Sequence, residues 1–154
     1  MNVYPESALM NANDKKRMHV VFSENKRRYE YNNAESFNLN MIHVDGGLFY
    51  ANSLPVRCDF ALEIDFETHR KLCLIELKGH DIAHACEQLL ESLKYFMKKY
   101  PADKYYCRIV SSGNKKPNIE SVQEKTLNSF LLRNGFAKLK KTTNFMCETS
   151  SDLI

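Results

Sequence analysis

The sequence predicts an α/β domain, a mixed central β-sheet flanked by helices. Three observations carry this. Leu72 to Leu77 is an almost unbroken apolar run, the pattern of a strand covered on both faces. Directly after it, Ile82 to Tyr100 places Ile82, Cys86, Leu89, Leu93, Phe96 or Met97, and Tyr100 at helical spacing. The alternation then repeats, with a strand over Tyr105 to Val110 and a helix over Ile119 to Asn134. The chain has 154 residues, 44% of them hydrophobic and 27% charged, which suits one soluble domain with a single core.

Taken in order, Met1 to Asp14 is polar and aperiodic and reads as a loose tail, leaving residues 15–154 as the domain. Met18 to Phe22 is a short apolar run of strand type. The Asn-rich stretch from Asn25 to Asn40 carries no firm assignment. Leu39 to Val44 reads as a strand, and Asp45-Gly46 as a turn into a further strand at Leu48 to Tyr50. Val56 to Ile64 is the next strand, and Asp65 to Arg70 a polar turn before Leu72. Gly79 breaks the apolar run and Asp81 is a good N-cap for the first helix, which Pro101 closes. Ser111-Ser112-Gly113 ends the strand that follows. Gly135 stops the second helix, whose apolar side is Val122, Leu127, Phe130 and Leu131. Phe136 to Met146 reads as a final strand.

Composition narrows the setting. The net charge of +3 is too small by itself to mark a nucleic-acid binder. Its distribution says more. From Pro101 to Lys141 nine basic residues face three acidic ones, and Lys15, Lys16 and Arg17 followed by Lys26, Arg27 and Arg28 form a second basic cluster. Either stretch is a solvated surface or a patch that neutralises phosphates. Five cysteines (Cys58, Cys73, Cys86, Cys107 and Cys147) lack the spacing of a disulfide framework or a zinc site. They read as free thiols in a reducing compartment, most simply cytoplasm. No apolar run approaches the ~20 residues of a membrane helix, and the N-terminus lacks a secretory signal pattern.

The chemistry concentrates in the hairpin between Val56 and Leu77. With its turn centred between Glu67 and Thr68, Asp59 falls opposite Glu76, and opposed residues share a face of the sheet. Lys78 shares that face by the two-residue alternation, while Phe60, Leu62, Ile75 and Leu77 point the other way. A one-residue slip in register would scatter the group. Two facing carboxylates at the end of an apolar strand repel, and one would sooner protonate than share the site. A divalent cation removes the conflict. Carboxylate oxygens suit Mg²⁺, which keeps several waters and often takes further ligands from substrate phosphate. A lysine beside it can orient a water or offset charge building on phosphate.

These residues, Asp59 after Val56-Arg57-Cys58 and then Glu76-Leu77-Lys78 closing the strand Leu72-Cys73-Leu74-Ile75, resemble the signature of the PD-(D/E)XK nuclease superfamily. The resemblance covers about Leu39 to Val110. It implies a restriction-endonuclease-like core and a Mg²⁺-dependent nuclease, with Mn²⁺ as a substitute. It implies that Asp59, Glu76 and the Leu77 carbonyl bind metal and that Lys78 serves the attacking water. Gln88, on the following helix, takes the place of the family's polar residue and would support the water or a backbone phosphate. The first signature position is Cys58 rather than proline. Many members add a glutamate from an earlier helix, and Glu24, Glu30 and Glu35 all stand open for that part. The family further implies nucleic acid, expected as DNA, cut endonucleolytically in processing or defence, with a homodimer or larger assembly supplying targeting. The alternatives are a non-catalytic nucleic-acid- or protein-binding module on the same fold, or a metal-free subunit whose helix Ile82 to Tyr100 docks a partner.

Other residues admit plainer readings. His80 and His84 flank the helix start near Lys78, and such histidines are more often polar N-terminal residues than acids or phosphate ligands. His43 and Asp45 belong to the Asp-Gly turn. Tyr95 lines the cleft or covers core edge. Lys115-Lys116-Pro117 grips a phosphate backbone or is a solvated loop. Tyr29 and Tyr31, alternating with polar residues, form a stacking surface or a core-facing strand.

Overall fold

A computed structural model describes residues 2–49, 57–113 and 119–154. Eight strands and two helices follow in the order β1 (His19–Glu24), β2 (Arg27–Asn32), β3 (Asn38–His43), β4 (Phe60–Asp65), β5 (Arg70–Lys78), α1 (Ile82–Lys99), β6 (Lys104–Ser111), α2 (Val122–Arg133), β7 (Lys140–Thr143) and β8 (Phe145–Glu148). The class is α/β, built as three layers. A five-stranded mixed sheet runs β3-β4-β5-β6-β7, antiparallel from β3 to β5 and parallel from β5 to β7. Both helices cover one face. A second sheet, β1-β2-β8, covers the other.

Period-two alternation in β4 and β5 sorts the core into two halves. Ala61, Leu72 and Leu74 meet Leu89, Leu93 and Phe96 of α1 and Leu127 and Leu131 of α2. Leu62, Ile64, Cys73, Ile75 and Leu77 meet Val20, Phe22, Tyr29 and Tyr31 of the second sheet. β5 is therefore buried on both faces, which is what its unbroken apolar run requires. Tyr29 and Tyr31 are fully buried, so the core-facing reading of that strand holds.

Local chemistry sets the helix ends. The Asp81 carboxylate accepts from the His84 N–H at the start of α1. α2 begins later than its sequence pattern suggests, at Val122, because the Ser121 hydroxyl accepts from the Glu124 N–H and caps it there. Ile119 is left exposed. Gly135 follows the last turn of α2 with φ +77, a conformation that favours glycine.

Three expectations are revised. Residues 2–14, read as a loose tail, lie against the open edge of β3. Leu9 bridges Ile42, the Met10 N–H donates to the Met41 carbonyl, and the Asn11 side chain accepts from the Met41 N–H and donates to the Leu39 carbonyl. Tyr4 stacks on Tyr100 at 4.3 Å between ring centroids and donates to Glu63. Covering an edge strand this way protects its unpaired backbone groups. Second, Phe136 to Met146 is not one strand. Asn144, with φ +64, bends the chain so that β7 joins the first sheet and β8 joins the second, parallel to β2. Third, Leu48 and Phe49 form a tight turn with a single bridge from Asp45 to Phe49 rather than a strand. A Cβ on Gly47 would come within 2.4 Å of the His43 carbonyl oxygen, so the turn closes only on glycine. Tyr50 and Val56, placed in strands by the sequence reading, lie outside the described residues, as does Lys115-Lys116-Pro117.

Sheet-to-sheet packing includes one charged cluster. Arg108 on β6 donates from Nε to Glu148 at 2.8 Å, Tyr29 donates to the same carboxylate at 2.9 Å, and Lys140 reaches it at 2.9 Å. Glu148 is fully buried, so these bonds satisfy a carboxylate that water does not reach.

Candidate active site

The register of β4 and β5 places Phe60 opposite Ile75 and Ala61 opposite Leu74. Carried one pair further, it brings Asp59, immediately before β4, opposite Glu76. The two acids are clasped reciprocally. The Asp59 N–H donates to Glu76 Oε1 at 3.0 Å, and the Leu77 N–H donates to Asp59 Oδ2 at 2.9 Å. Glu76 is 2% exposed. Burial first and the Asp59 charge second push its carboxyl far up, to about 9, with Lys78 opposing. Burial also raises Asp59, to about 6, against the lowering effect of the Leu77 N–H. Burial raises both carboxyls and each charge opposes the other, so the two titrate as a pair. At neutral pH the pair thus behaves as one charge and one proton.

Lys78 ends β5 on the same face. Its amine donates to Gln88 Oε1 at 3.3 Å, and among the described residues it makes no ion pair with a carboxylate. Gln88, on the second turn of α1, donates from Nε2 to the Arg57 carbonyl at 3.0 Å. One turn further on, the buried Ser92 hydroxyl accepts from the Cys58 N–H at 2.7 Å. α1 therefore holds the two residues before Asp59 at two points and the lysine at a third. The structure brings Asp59, Glu76, Lys78 and Gln88 together, with Leu77 supplying a backbone donor between the acids.

Further acids surround the pair. Glu24, at the end of β1, and Asp45 both add negative charge felt at Asp59. Of the three glutamates left open above, Glu30 is paired with His19 and Arg28, and Glu35 accepts from Ser150. Glu24 is thus the one placed near the site. Asp45 was not legible as a site residue, because the turn explained it. Its carboxylate accepts from Arg57 Nε at 2.8 Å, and the Val44 N–H donates to the Asp59 carbonyl, so the turn abuts the acid pair. No sequence spacing signals that approach. His84 lies 3.6 Å from Glu87 at the outer face of α1, and His80 is exposed. Tyr95 packs edge-on against Phe49 and Phe96, which places it on the core edge.

Among the described residues no cluster of three or more His, Cys, Asp or Glu forms a ready metal cage. Two carboxylates with suppressed ionisation are nonetheless a donor set that a hard cation suits, since Mg²⁺ needs one or two protein carboxylates and completes its shell with water and phosphate. Comparison with protein-family models, with curated proteins and with solved structures returns no match.

Proposed function

We propose that this chain is a metal-dependent nuclease with a restriction-endonuclease-like core, hydrolysing phosphodiester bonds in nucleic acid, DNA in the first instance. The observation that carries the reading is the buried Asp59–Glu76 pair, clasped through the Asp59 and Leu77 N–H groups beside Lys78, with both carboxyls raised by burial. A carboxylate pair that merely stabilised the fold would be expected to make a direct ion pair, as Glu148 does with Arg108, and among the described residues Lys78 makes none.

Asp59 and Glu76 would hold Mg²⁺ or Mn²⁺. Once bound, the ion supplies charge neutralisation for the phosphate and polarises an attacking water. Lys78 orients that water or offsets charge growing on the phosphate oxygens. Gln88 keeps the amine and the Arg57 carbonyl in fixed relation and so positions both Lys78 and Asp59. The acid clasp keeps the strands in register, which preorganises the group before substrate arrives.

The test is nicking of plasmid and of single-stranded oligonucleotide in Mg²⁺, Mn²⁺ or EDTA, with wild type and Lys78→Ala. Metal-dependent cleavage that falls roughly a hundredfold in the variant supports the enzyme. Equal cleavage by both proteins, or cleavage that persists in EDTA, rejects it. Binding without cleavage under every metal favours the non-catalytic module.

A further inference from the structure

A second polar feature lies at the tip of the β1–β2 hairpin, on the sheet that covers the face of the central sheet opposite α1. The β1–β2 hairpin turns tightly through Asn25 and Lys26, with φ 49 and 67, and its basic tip faces the β7–β8 bend at Asn144. Between them is a cleft of about 630 Å³, within the size range of small-ligand sites. Lys26, Arg27 and Arg28 line it, together with Phe145 and Glu24. Phe145 is 43% exposed, a large aromatic ring left open at the start of a strand. The Arg28 guanidinium stands 5.0 Å from that ring's centroid. Arg28 is also 3.4 Å from Glu30, while neither Lys26 nor Arg27 makes an ion pair among the described residues. Arg27 is anchored by donating from Nη1 to the Ser112 hydroxyl at 3.0 Å, yet its Nε is buried with no hydrogen-bond partner. A held guanidinium short of acceptors is unusual in a finished interior and suits an anion that the fold does not itself supply.

The cleft is joined to the acid pair through the backbone. The Ser112 N–H donates to the carbonyls of Lys78 and Gly79, so Arg27 grips the residue that abuts the end of β5. Glu24, directly across the hairpin from Arg27, adds negative charge that is felt at Asp59. An anion in the cleft meets Lys26, Arg27 and Arg28 against the single lining acid Glu24.

We propose that this cleft binds an unpaired nucleotide of a single-stranded nucleic acid, with the base on the Phe145–Arg28 platform and the phosphate on Lys26 and Arg27. An exposed aromatic ring beside an arginine plane is the usual stacking surface for an unpaired base. In a duplex the base faces are already stacked and cannot use it. This deepens the proposed function and rests on its nucleic-acid part, not on hydrolysis.

The chain contains no tryptophan, so Phe145→Trp installs a single fluorescent reporter in the cleft. Binding is measured in EDTA, where cleavage does not interfere. A short mixed-sequence single strand is expected to quench the tryptophan saturably, and the matching duplex to leave it nearly unchanged. By anisotropy of a labelled single strand, Phe145→Ala binds about five- to a hundredfold more weakly than wild type, the range for loss of one stacked base. Lys26→Ala lowers the slope of log affinity against log salt by about 0.7. Single-strand binding without quenching, equal quenching by duplex, or unchanged affinity in Phe145→Ala would each overturn the proposal. The two readings fail separately. Quenching without cleavage in any metal removes the enzyme and keeps the cleft, and Lys78-dependent cleavage without quenching does the reverse.

Discussion

Replacing Glu76 by glutamine should stabilise the metal-free protein at alkaline pH, an unusual outcome for a fully buried charge-bearing residue. The folded state raises the Glu76 carboxyl far above its ordinary 4.5, through burial first and the Asp59 charge second. A carboxyl raised in this way favours the fold below its unfolded pKa, and that advantage is lost as pH rises toward the folded value. Each pH unit above the ordinary value removes about 1.4 kcal/mol, so the ceiling at pH 8 is roughly 5 kcal/mol. Water or a bound cation relaxes part of that, and about 2–4 kcal/mol is a realistic gain for a side chain that is neutral at every pH. Glutamine keeps the acceptor for the Asp59 N–H and can donate to the Asp59 carboxylate, so the clasp survives. At roughly 2–4 °C per kcal/mol for a chain of this size, Tm should rise by about 4–15 °C at pH 8. At pH 4, where both side chains are neutral, the two proteins should melt together. The assay is thermal unfolding by circular dichroism from pH 4 to pH 9 in EDTA, repeated with Mg²⁺. Added Mg²⁺ should raise the wild-type Tm at pH 8 and leave Glu76→Gln nearly unmoved. A variant that is destabilised at pH 8, or whose difference from wild type is the same at pH 4, would refute the shared-proton account of the pair.

The same proton predicts that Mg²⁺ binding releases about one proton per site near pH 7, seen by calorimetry in two buffers of different ionisation enthalpy, and that affinity rises up to about tenfold per pH unit below the Glu76 pKa. Proton-neutral binding would count against Glu76 as a ligand. In the sheet-to-sheet cluster, Arg108→Ala leaves the buried Glu148 with Tyr29 and a half-exposed Lys140, and should cost about 3–5 kcal/mol in urea unfolding. Pairing Arg108→Met with Glu148→Leu should recover much of the loss, since no charge is then left buried.

Within the candidate site, much of the logic was legible in residue order. The turn position sets the register of β4 on β5, and the alternation of apolar residues fixes which face each side chain takes, so Asp59, Glu76 and Lys78 could be gathered before any coordinates. Gln88 entered through the family resemblance, as the polar residue on the helix that the Asp81 cap begins. Its two hydrogen bonds, accepted from the Lys78 amine and donated to the Arg57 carbonyl, were not legible, because they depend on how closely α1 seats on the sheet. Ser92 and Asp45 were likewise beyond reach, and Glu24 could not be told from Glu30 and Glu35. Each arrives from a different part of the chain, and no spacing rule links them to Asp59.

Local pattern was enough for elements whose signals come from their own residues: the doubly buried β5, the capped amphipathic α1, the strand β6 and the free thiols. Periodicity reports whether a face is buried, not what buries it. Tyr29 and Tyr31 alternate alike whether they await a base or a second sheet, and contact with Ile75 and Leu77 across the molecule settles that they are core. The division of Phe136 to Met146 between two sheets, and the settling of residues 2–14 on the β3 edge, belong to the same class. Their stabilising partners lie tens of residues away, and only the folded chain brings those partners within van der Waals reach.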